Sequence, residues 1–204
     1  MAAGDTSLST VNNAIRLLGV DAITSFSDGS KKSSIADGIY KFVKNHTLSM
    51  YPWKFALKKV ELARDSVTPN NEWTYQYTMP SDSISGLPNA VFFSGEVGAR
   101  SELRFDVYER KILTDAETVF VDYVYDVQED AMPSYFITLL VYQAAWHLAE
   151  PLTDQTTKAD YWKKTALGNP IDQGRGGYFR VATQIDAQGQ PPNVITDYVL
   201  TNMR

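Results

Sequence analysis

The chain has 204 residues, of which 44 % are hydrophobic and 21 % charged, proportions that suit a globular protein and are too apolar for a disordered one. It contains no cysteine, which excludes a disulfide framework, thiolate catalysis and cysteine-ligated metal centres. The formal net charge of −5 argues against a protein whose main task is to clamp a nucleic-acid backbone.

Two helices are predicted within the first 50 residues. The first begins at one of the N-cap residues at positions 5–7 and ends at Gly19, a residue type that commonly follows a helix. The second runs from about residue 33 or 34 to Met50, and Pro52 prevents its continuation. The apolar faces expected at helical spacing are Leu8, Val11, Ala14, Ile15 and Leu18 in the first helix, and Ile35, Ile39, Phe42, Val43, His46 and Met50 in the second.

The middle of the chain changes to a period of two. Residues 55–62 are a candidate strand, and apolar and polar residues alternate in three further short segments, with turn residues such as those of Met79-Pro80-Ser81-Asp82 between them. This pattern predicts an antiparallel sheet with one buried face. The segments are 55–62, 73–77, 103–107 and 119–125.

Helical spacing then returns in a long uncharged run, residues 132–149. Glu129 and Asp130 precede it, where acidic groups compensate the positive end of a helix dipole, and Pro133 lies in the first turn. The helix has about 16 residues, or roughly 24 Å, which is shorter than a bilayer core of about 30 Å. We therefore expect a buried bundle helix and no membrane span. A further helix is predicted from 153 to 167, separated from it by Pro151.

The predicted fold is α+β: an antiparallel bundle of about four helices with an inserted antiparallel sheet. Residues 5–52 and 129–168 form the bundle, 53–128 form the β-rich insertion, and 169–204 form an extended C-terminal tail rich in glycine and proline. Apolar groups in that tail lack local partners, so we expect the tail to dock on a partner. The candidate interface residues are Tyr178, Phe179, Tyr198, Leu200 and Arg175.

No complete catalytic, cofactor or metal site is predicted. The two histidines, His46 and His147, lie on apolar helix faces, where a hydrogen-bonded core histidine is the simpler interpretation. The pairs Glu129–Asp130 and Glu150–Asp154 are interpreted as helix-end charges. The segment Gly174-Arg175-Gly176-Gly177 lacks the lysine and hydroxyl residue of a phosphate-binding loop. The lysines at 54, 58 and 59 are few for a single-strand binding patch. We expect no enzyme activity and no cofactor.

Four segments carry a resemblance to a known family. They are residues 11–20 (VNNAIRLLGV), 46–56 (HTLSMYPWKFA), 73–82 (WTYQYTMPSD) and 125–136 (YDVQEDAMPSYF). In this order and spacing around a β insertion, they resemble the tail tubular protein A family, the head–tail adaptors or connectors of short-tailed bacteriophages. The resemblance spans residues 5 to about 168 and does not extend into the tail.

The resemblance implies a structural role in the virion. Members of the tail tubular protein A family form a homo-oligomeric ring, commonly twelvefold, between the portal of the capsid and the tail nozzle. The ring surrounds the channel through which double-stranded DNA leaves the capsid, without binding a specific sequence. An acidic chain without a phosphate clamp suits such a conduit, and no catalytic residue is carried over from the family.

Two alternatives belong to other functional classes. A virion-associated cell-wall hydrolase needs two carboxyl groups that converge across a cleft, one of them with a raised pKa. A glycan- or receptor-binding module is supported by the tyrosines and tryptophans of the predicted sheet. Both alternatives remain open on sequence alone.

Overall fold

The computed structural model describes residues 6–96, 99–172 and 176–188. It confirms the predicted α+β class. The elements, in chain order, are α1 (Ser7–Leu17), α2 (Lys31–Ser49), β1 (Leu57–Leu62), β2 (Tyr75–Thr78), β3 (Ala90–Phe92), β4 (Asp106–Tyr108), β5 (Lys111–Thr114), β6 (Val119–Val124), α3 (Ser134–Thr153), α4 (Thr156–Leu167) and α5 (Tyr178–Ala187).

Both ends of α1 are fixed by local hydrogen bonds. The Thr6 side chain accepts from the Ser9 N–H at 3.1 Å, and the Ser9 hydroxyl oxygen accepts from the Thr6 N–H at 2.8 Å, which forms a capping box. At the other end the Val20 N–H donates to the Ile15 carbonyl and the Gly19 N–H to the Arg16 carbonyl, a Schellman motif. Gly19 has φ +76°, so the predicted stop of this helix is confirmed.

The buried face of α2 differs from the predicted one. Phe42 is 59 % exposed and His46 is exposed, while Tyr40 and Lys44 are buried. The prediction was wrong because it assigned polar residues to the solvent face, whereas Lys44 and the Tyr40 hydroxyl have ionic and hydrogen-bonding partners inside. The buried residues of α2 are Ser33, Ala36, Tyr40, Val43, Lys44, Thr47 and Leu48.

Helix α3 is the centre of the bundle and contacts α1, α2, α4 and α5. Ten of its residues are buried, on every side of the helix. The predicted end at Pro151 is wrong, because α3 continues to Thr153 and ends at Asp154 in the left-handed region, with φ +52°. A proline is tolerated there because only the last turn loses a donor. Helix α4 accordingly starts at Thr156 and not at 153.

Two three-stranded antiparallel sheets form the insertion, with strand orders β1-β6-β3 and β2-β5-β4. All four predicted strand segments contain a strand, and β3 and β5 were missed. The hairpin between β4 and β5 turns at Glu109 and Arg110, whose φ values are 49° and 60°. Such a turn commonly has the sequence Asn-Gly or Asp-Gly, and Glu109-Arg110 is neither, so the sequence did not indicate the hairpin. The sheets enclose a second core of Leu62, Tyr77, Met79, Val91, Ile112, Val119, Val121 and Tyr123.

The tail was predicted to be extended, and this is wrong for residues 178–187. They form α5, a helix with buried Ala182 and Asp186 that packs against α3 and α4. The glycines that suggested an irregular tail lie before the helix, where Gly177 is its N-cap. Arg175, Tyr198 and Leu200 lie outside the described residues.

The central position of α3 predicts a large cost for a cavity there. Leu140 is 0 % exposed, so Leu140→Ala should lower the free energy of unfolding by about 2–5 kcal/mol. Leu87→Ala is a matched control, because Leu87 is 58 % exposed and should change stability by less than about 0.5 kcal/mol. Urea unfolding of both variants measures the difference. Equal midpoints for the two would contradict the central placement of α3.

Candidate partner-binding surfaces

The predicted anchor residues Tyr178 and Phe179 pack against their own chain. The Tyr178 ring lies edge-on to Tyr142 of α3, with 5.4 Å between centroids. The Phe179 ring lies edge-on to the fully buried Trp53, at 5.9 Å. These aromatic residues therefore have local partners, and at most their exposed edges are open to another subunit.

Asp186 holds α5 against the bundle, a role that no sequence pattern indicated. One carboxylate oxygen accepts from the Tyr135 hydroxyl at 2.6 Å, and the other accepts from the Lys54 backbone N–H at 3.2 Å. Burial raises the pKa of the Tyr135 hydroxyl, and the hydrogen bond to Asp186 and the charge of Asp186 raise it further. The hydroxyl therefore stays a donor at neutral pH.

A first exposed surface, here called the aromatic face, combines Phe42 and His46 of α2 with Trp146 and His147 of α3. The Phe42 ring stacks on His46 at 5.9 Å and meets His147 edge-on at 5.7 Å. The Lys163 Nζ lies 5.3 Å above the centre of the Trp146 ring. A protruding phenylalanine among flat aromatic rings is typical of a protein-binding surface.

His147 is a polar group within this apolar surface. Its Nε2 is buried and accepts or donates no hydrogen bond within the described part of the chain. Burial lowers the pKa of His147, and the nearby His46 and Lys163 lower it further. The prediction of two hydrogen-bonded core histidines is therefore wrong, since His46 is exposed and His147 lacks a described partner. A neutral His147 is compatible with an apolar contact.

A second surface, here called the α1–α3 groove, lies on the other side of α3. It has a volume of about 410 Å³ and is lined mainly by Leu17, Ile137, Val141 and Tyr142. Thr138, also in its lining, is nine positions before His147, about two and a half helical turns. The groove at Thr138 and the Phe42–His147 contact of the aromatic face therefore lie on opposite sides of α3.

An ionic cluster, buried except for the half-exposed Asp126, connects the bundle to the sheet region. Lys44 Nζ lies 2.8 Å from Asp126 Oδ1 and 3.6 Å from Glu129 Oε1. The Tyr40 hydroxyl donates to Glu129 Oε1 at 2.8 Å. Burial, together with the charge of Glu129, raises the pKa of Tyr40 and keeps it protonated. Glu129 is thus an internal ion-pair partner, and the prediction that it compensates a helix dipole is wrong.

A polar pocket of about 550 Å³ lies beside this ionic cluster. Both carboxylates of the cluster pair with Lys44, and Glu129 also accepts from the Tyr40 hydroxyl. Glu150 and Asp154, the other predicted pair, are exposed. Within residues 6–96, 99–172 and 176–188, no group of three His, Asp or Glu side chains could hold a metal ion.

The lysines considered for a nucleic-acid patch have separate partners. Lys54 Nζ donates to the Ala187 carbonyl, Lys58 pairs with Asp82 at 3.0 Å, and Lys59 Nζ lies 3.4 Å above the Phe92 ring. Of the aromatic residues of the sheets, Tyr77 and Tyr123 are buried in the second core, whereas Tyr108 is 61 % exposed. No helix in the described ranges is long and apolar enough to cross a membrane.

Comparison with known proteins finds no matching family profile and no similar curated protein.

The attachment of α5 by Asp186 predicts that removing this carboxylate lowers the stability of the protein. Asp186→Ala leaves the Tyr135 hydroxyl and the Lys54 N–H without an acceptor and should lower the free energy of unfolding by about 1–3 kcal/mol. Hydrogen exchange should accelerate first in residues 178–187. Asp37→Ala is the control, because Asp37 forms only an exposed pair with Lys41, worth at most about 0.5 kcal/mol. If exchange in α5 is unchanged by Asp186→Ala, the carboxylate does not hold the helix.

Proposed function

We propose that this chain is a structural subunit of a phage head–tail adaptor. Copies of it form a ring, twelvefold by the family resemblance, between the portal and the tail nozzle of the virion. Double-stranded DNA passes through the ring without specific binding. The protein's task in this role is to hold partners in register and to leave the channel open.

The observation that carries the proposal is the pair of apolar surfaces on opposite sides of α3. A ring with cyclic symmetry needs heterologous contacts, in which one face of a subunit meets a different face of the next. The aromatic face and the α1–α3 groove differ in shape, since one presents the protruding Phe42 and the other is concave. An arrangement of this kind favours head-to-tail contacts over a closed dimer.

Two of the segments that resemble the adaptor family also meet in space. Trp53, in segment 46–56, contacts Phe136, in segment 125–136, with 5.0 Å between ring centroids. The Tyr125 N–H donates to the Ala56 carbonyl at 3.0 Å. The two segments therefore pack against each other at the junction of the bundle and the sheets. This contact supports treating them as parts of one resemblance and not as two separate matches.

The charge distribution is compatible with a DNA conduit. The net charge is −5, and Lys44 and Lys58 are paired with carboxylates. Duplex DNA slides through a ring more easily when the ring makes few contacts with its phosphates, because each contact adds affinity.

The proposal predicts that assembly depends on Phe42. Phe42→Asp places a charge in the aromatic face and should weaken self-association and binding to portal rings by at least about tenfold. The thermal midpoint should stay within a few degrees, since the side chain is 59 % exposed. Light scattering after size-exclusion chromatography, with and without the cognate portal, measures assembly.

Leu103→Asp is the matched control, because Leu103 is 90 % exposed and lies in the sheet region. It should assemble like the unchanged chain. A chain that stays monomeric at high concentration and with portal rings present would overturn the adaptor proposal. Equal assembly of the two variants would overturn the role of the aromatic face.

The competing function is a cell-wall hydrolase, for which the pocket beside Glu129 is the available location. We expect no turnover of peptidoglycan or polysaccharide, because Glu129 and Asp126 are both engaged by Lys44. Release of reducing ends or soluble muropeptides measures this. Turnover that Glu129→Gln abolishes and that the exposed-site control Asp130→Asn retains would refute the expectation.

A further inference from the structure

The α1–α3 groove is part of a longer apolar strip. Tyr142 lines the groove and also contacts Tyr178 of α5. Val181 and Ile185 follow Tyr178 at positions i+3 and i+7, so they continue on the same side of α5. They are 44 % and 38 % exposed, and Leu17, at the other edge of the groove, is 42 % exposed.

An apolar strip that crosses three helices is unusual on a subunit surface that has no cover. Its floor is formed by α3, the most apolar helix of the bundle, between α1 on one side and α5 on the other. Helix α5 lies directly beside the groove, because Asp186 is bonded to Tyr135 and Tyr178 contacts Tyr142.

We propose that the segment 189–204 of the same chain covers this strip. This segment lies outside the described residues and follows Gln188 at the end of α5. It contains Val194, Ile195, Tyr198 and Val199, at the i, i+1, i+4 and i+5 spacing of a single apolar helix face. Placing such a face in a hydrophobic groove is a common mode of recognition.

Segment 189–204 starts after Gln188, close enough to the α1–α3 groove to reach it with few residues. Asp186 is bonded to Tyr135, and Val141 is six residues further along α3, or about 9 Å. The six residues from Gln188 to Val194 span up to about 20 Å. The first apolar residues of the segment can therefore reach the groove of their own chain.

Charge at the rim of the groove fits the same occupant. Arg16 lines the groove and bonds to the Asn13 side chain at 3.3 Å. Among the described residues it forms no ion pair. Asp197 is the acidic residue of segment 189–204 and is next to Tyr198. An Asp197–Arg16 pair would fix the direction of the segment in the groove.

The inference shares the α1–α3 groove with the proposed function: the surface that the aromatic face of a neighbouring subunit meets is then the groove with segment 189–204 of its own chain already in place, and Tyr198 lies in its own subunit and not on a partner. The test below measures the position of the segment and not ring assembly, so the two proposals can fail separately. Because the chain has no cysteine, cysteine pairs provide a direct test in the full-length protein. Leu17→Cys with Val199→Cys should be joined within one chain by a short bismaleimide at micromolar protein concentration. Phe42→Cys with Val199→Cys is the control, since Phe42 lies on the opposite side of α3.

We expect intramolecular cross-linking of the first pair to be at least about tenfold faster than that of the control, because a docked segment has a high effective concentration. Adding Asp197→Arg to the first pair should slow the reaction, and a further Arg16→Asp should restore it. Equal rates for the two pairs would overturn the proposal, as would products that join two chains. A rate that is insensitive to Asp197→Arg would overturn the ion pair at the rim.

Discussion

The bundle is organised by the need to cover α3 on every side. A helix with an amphipathic pattern can leave one face in water, but one that is apolar around its circumference cannot. Buried residues on all sides of α3 therefore require neighbours on all sides. Helices α1, α2 and α4 provide three of them, and α5 with Trp53 and Phe55 provides the next. The cover is incomplete at the α1–α3 groove, where Thr138 and Tyr142 of α3 are only partly buried, so an additional segment or subunit can bury apolar surface there.

The positions of the helices and strands were predicted better from the sequence than which side of each one is buried. Period-2 alternation located the strands, and uncharged helical spacing located α3, because both patterns are set by burial. The predicted apolar face of α2 did not include Tyr40 and Lys44, since their burial depends on Glu129 and Asp126, about 85 positions away along the chain. No local pattern carries that information. The same reason explains why Phe42 was placed inside when it is exposed.

The candidate surfaces were predicted only in part. Tyr178 and Phe179 were predicted to anchor the tail on a partner, whereas their rings contact Tyr142 and Trp53 of the same chain. Those two contact residues lie in other elements and could not be deduced from the sequence. Helix α5 was missed because the glycines before it suggested an irregular chain. The aromatic face follows from the orientation of α2, which buries Tyr40 and Lys44 and leaves Phe42 and His46 exposed, an orientation that the sequence pattern did not predict. The interpretation of Glu129 as a helix-end charge was wrong because its partners, Lys44 and Tyr40, lie far away along the chain.

The pairing of β1 with β6 has a consequence for the order of folding. Leu57 is paired with Val124, so the sheet brings the end of α2 and the start of α3 together across the whole insertion. Without that pairing, α2 could meet α3 only by closing a loop of more than 80 residues (50–133), at an entropic cost that precedes any stabilising contact. During synthesis the ribosome must also complete the insertion before α3 exists to cover α1 and α2. The apolar faces of these two helices are therefore exposed for longest, and a strong β1–β6 pairing shortens the interval during which they can associate with another chain.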